Sequence, residues 1–177
     1  MRRIVPNLFI VGGDGRNSGK TAMICRILMQ IREINIIPVK ISPHFHEPSP
    51  GLNLIASEED YRIYEETNPW SAKDTSRMLQ CGVSRVFYSQ ALEERIGEVF
   101  TVIEKSVPAG TPIICESPGL IKYIDPGMFV IMRGSDNPAK DLSALEIFRH
   151  TDFTIEQLDN TPLLPFFFDK EGWKLKQ

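Results

Sequence analysis

The chain has 177 residues, 42% of them hydrophobic and 24% charged, the balance of an ordinary globular domain. That length suits one domain, residues 1–177, and the composition excludes a disordered tail or a collagen-like repeat. With 20 lysines and arginines against 23 aspartates and glutamates, the net charge is −3, so no global field draws a nucleic-acid backbone.

Near the start, an apolar run over 4–11 is broken by Pro6 and Asn7 and followed by Gly12-Gly13-Asp14. This lacks a small-residue cleavage site and reads as a strand rather than a signal peptide. No segment approaches the roughly 18 apolar residues of a membrane helix, so the expectation is a cytoplasmic protein without a membrane partner. Residues 8–11 form a short continuous apolar run, as in a strand buried on both faces. A glycine-rich turn follows to Gly19. Met23, Ile24, Ile27, Leu28 and Ile31 then recur at helical spacing and predict a helix over 20–32. Residues 36–41 predict the second strand and complete a strand-helix-strand unit.

From 42 to 68 the periodicity fails among Pro43, Pro48, Pro50 and Gly51, and the stretch reads as a substrate or lid loop. Beyond it the pattern predicts a short helix over 74–81, a strand over 83–88 and a longer helix over 92–107. Strands follow at 112–115 and 129–132, then a helix carrying Leu142, Leu145 and Phe148, and a strand at 153–155. The C-terminal segment, about 163–177, reads as a hairpin, with Phe166-Phe167-Phe168 opposite Trp173 to Leu175. Strands alternating with helices predict an α/β fold with a mostly parallel central sheet. Cys25, Cys81 and Cys115 lie far apart with no Cys-x-x-Cys pair, which fits free thiols in a reducing compartment.

Gly19-Lys20-Thr21 at a strand-to-helix junction carries the most chemistry. Backbone N–H groups of such a turn, with the free helix N-terminus, cradle phosphate. Lys20 would reach the β and γ phosphates and the Thr21 hydroxyl would ligate Mg²⁺. The usual Gly-x-x-x-x-Gly-Lys-Thr spacing would need glycine at Asp14; here Gly13 and Gly15 flank that position. His44 and His46 alternate in a proline-rich loop. Two histidines are an incomplete zinc set, so they read as solvent-facing or as contacts to a phosphate-bearing substrate.

Asn17-Ser18-Gly19-Lys20-Thr21, Lys40 followed by His44 and His46, Ala72-Lys73-Asp74-Thr75 opening a helix that ends in Cys81-Gly82-Val83, and Cys115-Glu116-Ser117 occur in that order. Over about the first two-thirds of the chain they resemble the molybdopterin-guanine dinucleotide biosynthesis protein B family of P-loop NTPases. The related dethiobiotin synthetase family is similar in spacing five residues between the glycines, as between Gly13 and Gly19. It is also similar in a lysine after the second strand, an aspartate opening the next helix and a glutamate ending a later strand, the positions of Lys40, Asp74 and Glu116.

The resemblance implies a three-layer P-loop fold with helices on both sheet faces. It implies that Gly13, Gly15, Asn17, Ser18, Gly19, Lys20 and Thr21 hold a nucleoside triphosphate. Thr21, Asp74 and Glu116 would hold Mg²⁺, while Lys20 and Lys40 neutralise charge during phosphoryl transfer. The implied function is a GTP-binding accessory protein of molybdenum-cofactor biosynthesis, with weak Mg²⁺-dependent hydrolysis and a biosynthetic protein partner. The alternative is an ATP-dependent ligase or small-molecule kinase of the dethiobiotin synthetase type. GTP and ATP both stay open, because no Asn-Lys-x-Asp motif reads guanine; Asp136-Asn137-Pro138 would lie near the base. Ser117-Pro118 replaces the glycine that follows the glutamate in both relatives. A homodimer is expected through the C-terminal aromatics. Alternation puts Phe166 and Phe168 on one side and Phe167 on the other, so that one side can pack on the core while the other meets a partner.

Overall fold

The structure is a computed structural model and describes residues 2–13, 15, 18–133, 151–155 and 163–176. The helix expected around Leu142 to Phe148, and the Asp136-Asn137-Pro138 segment, lie outside the described residues. Strands β1 (Arg3–Gly13), β2 (Ile37–Ser42), β3 (Leu52–Glu58), β4 (Tyr61–Glu66), β5 (Phe87–Ala91), β6 (Ile113–Glu116), β7 (Ile124–Met132) and β8 (Phe153–Ile155) build one sheet. Its order is β3-β4-β5-β2-β6-β1-β7-β8. From β5 to β8 every neighbouring pair is parallel, and β4 and β3 extend the β5 edge as antiparallel strands. The fold is therefore α/β with a mostly parallel central sheet.

Both faces of the central strands are apolar because their residues alternate between two cores. Leu8, Ile10, Val39, Ile113, Cys115, Phe129 and Ile131 point to one face, where helix α3 (Ile96–Lys105) brings Ile96, Val99, Phe100 and Ile103. Phe9, Val11, Ile114, Val130 and Met132 point to the other. There α1 (Lys20–Gln30) supplies Met23, Ile24, Ile27 and Leu28, and α2 (Asp74–Gln80) supplies Met78. Fully burying one such side chain contributes about 1.5–3 kcal/mol, so the spacing on α1 and α3 fixes which way each helix faces.

The stretch expected to be a lid loop is the chief correction. Residues 52–66 form the β3–β4 hairpin, whose turn is Glu59 and Asp60. Only Pro43 to Gly51 and Thr67 to Lys73 remain irregular. The hairpin escapes an apolar-run criterion because β3 is an edge strand, half-buried at most, while β4 buries Tyr61, Ile63 and Tyr64 among charged residues. The strand expected at 83–88 is displaced to Phe87–Ala91, where Ser89 and Gln90 are buried mid-sheet despite their polarity. Strand β1 runs through Pro6 and Asn7 rather than starting after them; its pairing with β7 shifts between Val5 and Phe9 to absorb the proline. The expected helix over 92–107 opens with a 3₁₀ turn at Glu93–Arg95.

Arg85 clamps the added hairpin to the sheet. Its Nε donates to Glu65 Oε1 at 2.8 Å and its Nη2 to Oε2 at 2.9 Å, with the guanidinium 4.7 Å from the Phe87 ring centroid. The hydrogen bonds from Arg85 hold the Glu65 carboxyl below the ordinary glutamate range. Such a carboxylate contributes stability that is present above its unfolded pKa and is lost as pH falls through the lower folded value. Glu65→Gln should therefore lower stability at neutral pH but flatten its decline on the acid side. Urea unfolding across the acid range checks this, and an unchanged acid slope refutes it.

The C-terminal hairpin forms as expected, β9 (Phe166–Asp169) against β10 (Gly172–Leu175). Phe166 and Trp173 are buried and Phe168 packs against the same core. Phe167 is half-buried, opposite Lys174, and it alone of the three phenylalanines stays outside that core. All three cysteines are free thiols. Burial pushes Cys115 far above the ordinary thiol range. Burial, then the neighbouring Cys81, pushes Cys25 up to about 12.

Candidate functional site

Lys40 and Glu116 are partners in the parallel register of β2 and β6, and Glu116 pairs in turn with Val11 of β1. Val39, Ile41 and Cys115 belong to the α3 face, so alternation turns Lys40 and Glu116 to the face that carries α1 and α2. Both sit at the carboxyl ends of their strands, where ligands of open α/β sheets bind. The first turns of α1 and α2 come down on them and bring Lys20, Thr21 and Asp74. These five side chains, scattered over nearly a hundred residues of sequence, line one cleft of about 620 Å³ with Gly15, Gly19, Ser42, His44, Arg77 and Pro118.

The turn into α1 is built by glycine. Gly19 has φ of 86°, in the left-handed region that favours glycine, and its carbonyl accepts the Met23 N–H at 2.9 Å as the helix begins. At Gly13 a Cβ would collide with the Ser18 hydroxyl and press on the Lys20 side chain. Lys20 Nζ folds back over the turn, donating to the Gly15 carbonyl at 2.7 Å and Ser18 Oγ at 2.9 Å; Ser18 Oγ donates to the same carbonyl at 3.2 Å. Asn17, the remaining residue expected to hold phosphate, lies outside the described residues.

On the other side of the cleft the charges form one network. Thr21 Oγ1 donates to Glu116 Oε2 at 3.1 Å, and Lys40 Nζ lies 3.1 Å from Glu116 Oε1. Lys40 also donates to Asp74 Oδ2, while Arg77 Nη1 stands 3.9 Å from Asp74 Oδ1. Glu116 is only 7% exposed, so its charge depends on these partners. Burial alone would lower the Lys40 ammonium, but Glu116 and Asp74 outweigh it and hold the pKa above the ordinary lysine value. Burial would likewise raise Asp74. The Lys40 hydrogen bond and charge, helped by Thr21 and Arg77, bring it below the ordinary carboxylate range instead.

Thr21, Asp74 and Glu116, the residues expected to hold metal, therefore converge, and Lys40 is bonded to both carboxylates. One hydroxyl and two carboxylates are hard oxygen donors of the kind Mg²⁺ takes alongside phosphate and water. Arg77 escaped sequence reasoning, although its spacing of three from Asp74 on a helix places both on one face. His44 lines this cleft, whereas His46 lines a second cavity of about 300 Å³ with Glu47, Glu66, Lys73 and Tyr88. That cavity shares Lys40 and Asp74 with the first and is lined on its far side by Leu52 of β3, Glu66 of β4 and Tyr88 of β5. The two histidine rings are 6.1 Å apart by centroid, and among the described residues no group of three or more His, Cys, Asp or Glu is arranged as a metal site. No described helix is long and apolar enough to cross a membrane.

No protein-family model, curated protein or solved structure matches the chain. The functional reading therefore stands on the site's chemistry and on the motif resemblance.

Proposed function

We propose that the cleft binds a nucleoside triphosphate with Mg²⁺, and that the chain is a three-layer P-loop NTPase acting as a GTP-binding accessory protein of molybdenum-cofactor biosynthesis. The observation that carries the nucleotide reading is the convergence of Gly15, Gly19, Lys20 and Thr21 with Lys40, Asp74 and Glu116 in one cleft. Backbone N–H groups in the first turn of an α-helix have no acceptor within the helix and suit phosphate oxygens. Lys20 exchanges its bonds to Gly15 and Ser18 for the β and γ phosphates, and Thr21, Asp74 and Glu116 hold the metal directly or through its waters. When bound, Mg²⁺ neutralises charge on the bridged phosphate oxygens.

The test separates metal from phosphate binding. Asp74→Asn and Glu116→Gln should each weaken GTP and ATP binding in Mg²⁺ more than in EDTA, by calorimetric titration. Equal losses in both conditions would assign the two carboxylates to helix and strand stability instead. Comparing the two nucleotides in the same titrations decides the base.

The cavity of about 300 Å³ across the Lys40–Asp74 pair favours a second reading, an ATP-dependent ligase or small-molecule kinase with its second substrate there. Hydrolysis or product formation that rises only when a small-molecule acceptor is added would favour that reading over an accessory protein. A homodimer is part of the proposal, and Phe167 is the hairpin residue left to serve it. Light scattering on the wild type and on Phe167→Asp tests this, with a monomeric wild type refuting it.

A further inference from the structure

The ammonium of Lys40 occupies the position between two carboxylates that a bridging cation would take. It is bonded to Asp74 from α2 and to Glu116 from β6, and it shares Glu116 with the Thr21 hydroxyl. Register fixes Lys40 beside Glu116, so the pairing is set by the sheet. Glu116 and Asp74 come from different elements, and their side chains are 8% and 38% exposed. Without a cation between them, two converging carboxylates repel, and the buried one loses its main partner.

We propose that Lys40 is a built-in stand-in for the divalent cation, holding Asp74 and Glu116 together and yielding to metal only when a triphosphate arrives. The inference rests on the nucleotide reading for the identity of the displacing ligand, but not for the role of Lys40 itself. Ammonium and metal compete for the same carboxylate oxygens, so occupancy is exclusive. Free metal must displace a paired ammonium into solvent. Metal carried by a triphosphate brings anionic oxygens that receive the displaced ammonium, so neither carboxylate nor lysine is left unpaired. The site is thereby closed to metal alone and open to the metal–nucleotide complex, and the freed Lys40 is delivered to the phosphate side of the cleft.

The experiment measures binding of Mn²⁺ alone, without nucleotide, from the electron paramagnetic resonance signal of the unbound ion. Wild type should bind only at millimolar concentration, and Lys40→Met about tenfold or more tightly, because the carboxylates are then unneutralised. Adding Glu116→Gln to Lys40→Met should abolish the gain. Equal or weaker binding by a Lys40→Met protein that still unfolds cooperatively overturns the proposal. Should that variant fail to fold, ¹⁵N-lysine wild type decides: the Lys40 ammonium resonance, assigned by its absence in Lys40→Arg, should shift with Mg²⁺ and a non-hydrolysable GTP analogue but not with the analogue in EDTA. A resonance unmoved by the bound metal complex overturns it. Failure of every triphosphate to bind would remove the nucleotide reading, while the Mn²⁺ comparison still decides the role of Lys40.

Discussion

Lys20→Ala is expected to weaken triphosphate binding about ten- to a hundredfold and to leave folding nearly unchanged. A hydrogen bond to a charged group contributes about 1.5–3 kcal/mol, and Lys20 at the start of α1 is placed to make such bonds to the β and γ phosphates. Its ammonium is bonded to the Gly15 carbonyl and Ser18 hydroxyl, so the variant also removes two braces from the turn. Ser18 Oγ still reaches Gly15, and the first turn of α1 is held by Gly19 and by Met23 and Ile24 beneath it. Calorimetry with GTP and ATP, alongside thermal unfolding, separates the two effects. Undiminished affinity in a folded variant would remove the phosphate assignment of Lys20, and with it the main support for a nucleotide site.

What was legible in the sequence follows from burial. Residues 8–11 are apolar at every position because β1 is covered on both faces, and α1 and α3 each show a clean apolar stripe because each has one sheet face to cover. The β3–β4 hairpin carries no comparable signal. An edge strand with one solvated side needs no apolar run, and Pro48, Pro50 and Gly51 before it pointed to a loop. Strand β5 was misplaced for the converse reason, since Ser89 and Gln90 are polar yet wholly inside the sheet.

The site residues were legible individually, each at the end of a strand or start of a helix, but their mutual bonding was not. It depends on β6 lying between β1 and β2, which puts Glu116 beside Lys40 and within reach of Thr21. Strand order is a property of the sheet that local periodicity does not carry. The same holds for the second cavity, where Leu52 and Glu66 of the hairpin meet residues of β2, α2 and β5.

Trp173→Ala is expected to destabilise the chain by about 3–5 kcal/mol, the range for truncating a large buried aromatic. Trp173 is 3% exposed, stacked on Phe9 of β1 at 5.2 Å and edge-on to Phe168 at 5.2 Å, with Phe166 tilted against Phe9 at 5.0 Å. Its indole Nε1 donates to the Asn7 carbonyl at 3.0 Å, within the stretch where the β1–β7 pairing shifts register. Gln30 at the end of α1 ties the hairpin's approach to the same face through both of its amide atoms, to Leu164 N at 2.8 Å and Leu164 O at 2.9 Å. The hairpin therefore finishes the core that α1 leaves open, and removing Trp173 opens a cavity and removes the hydrogen bond to the Asn7 carbonyl. Trp173→Phe keeps most of the ring contact and loses only the hydrogen bond, so it should cost about 1–2 kcal/mol. Urea unfolding measures both. The chain has 2 tryptophans and the other, Trp70, is 89% exposed, so emission from folded Trp173→Ala should shift to that of a solvated indole. A cost below about 1 kcal/mol for Trp173→Ala would mean that the hairpin lies on the molecule without contributing to its core.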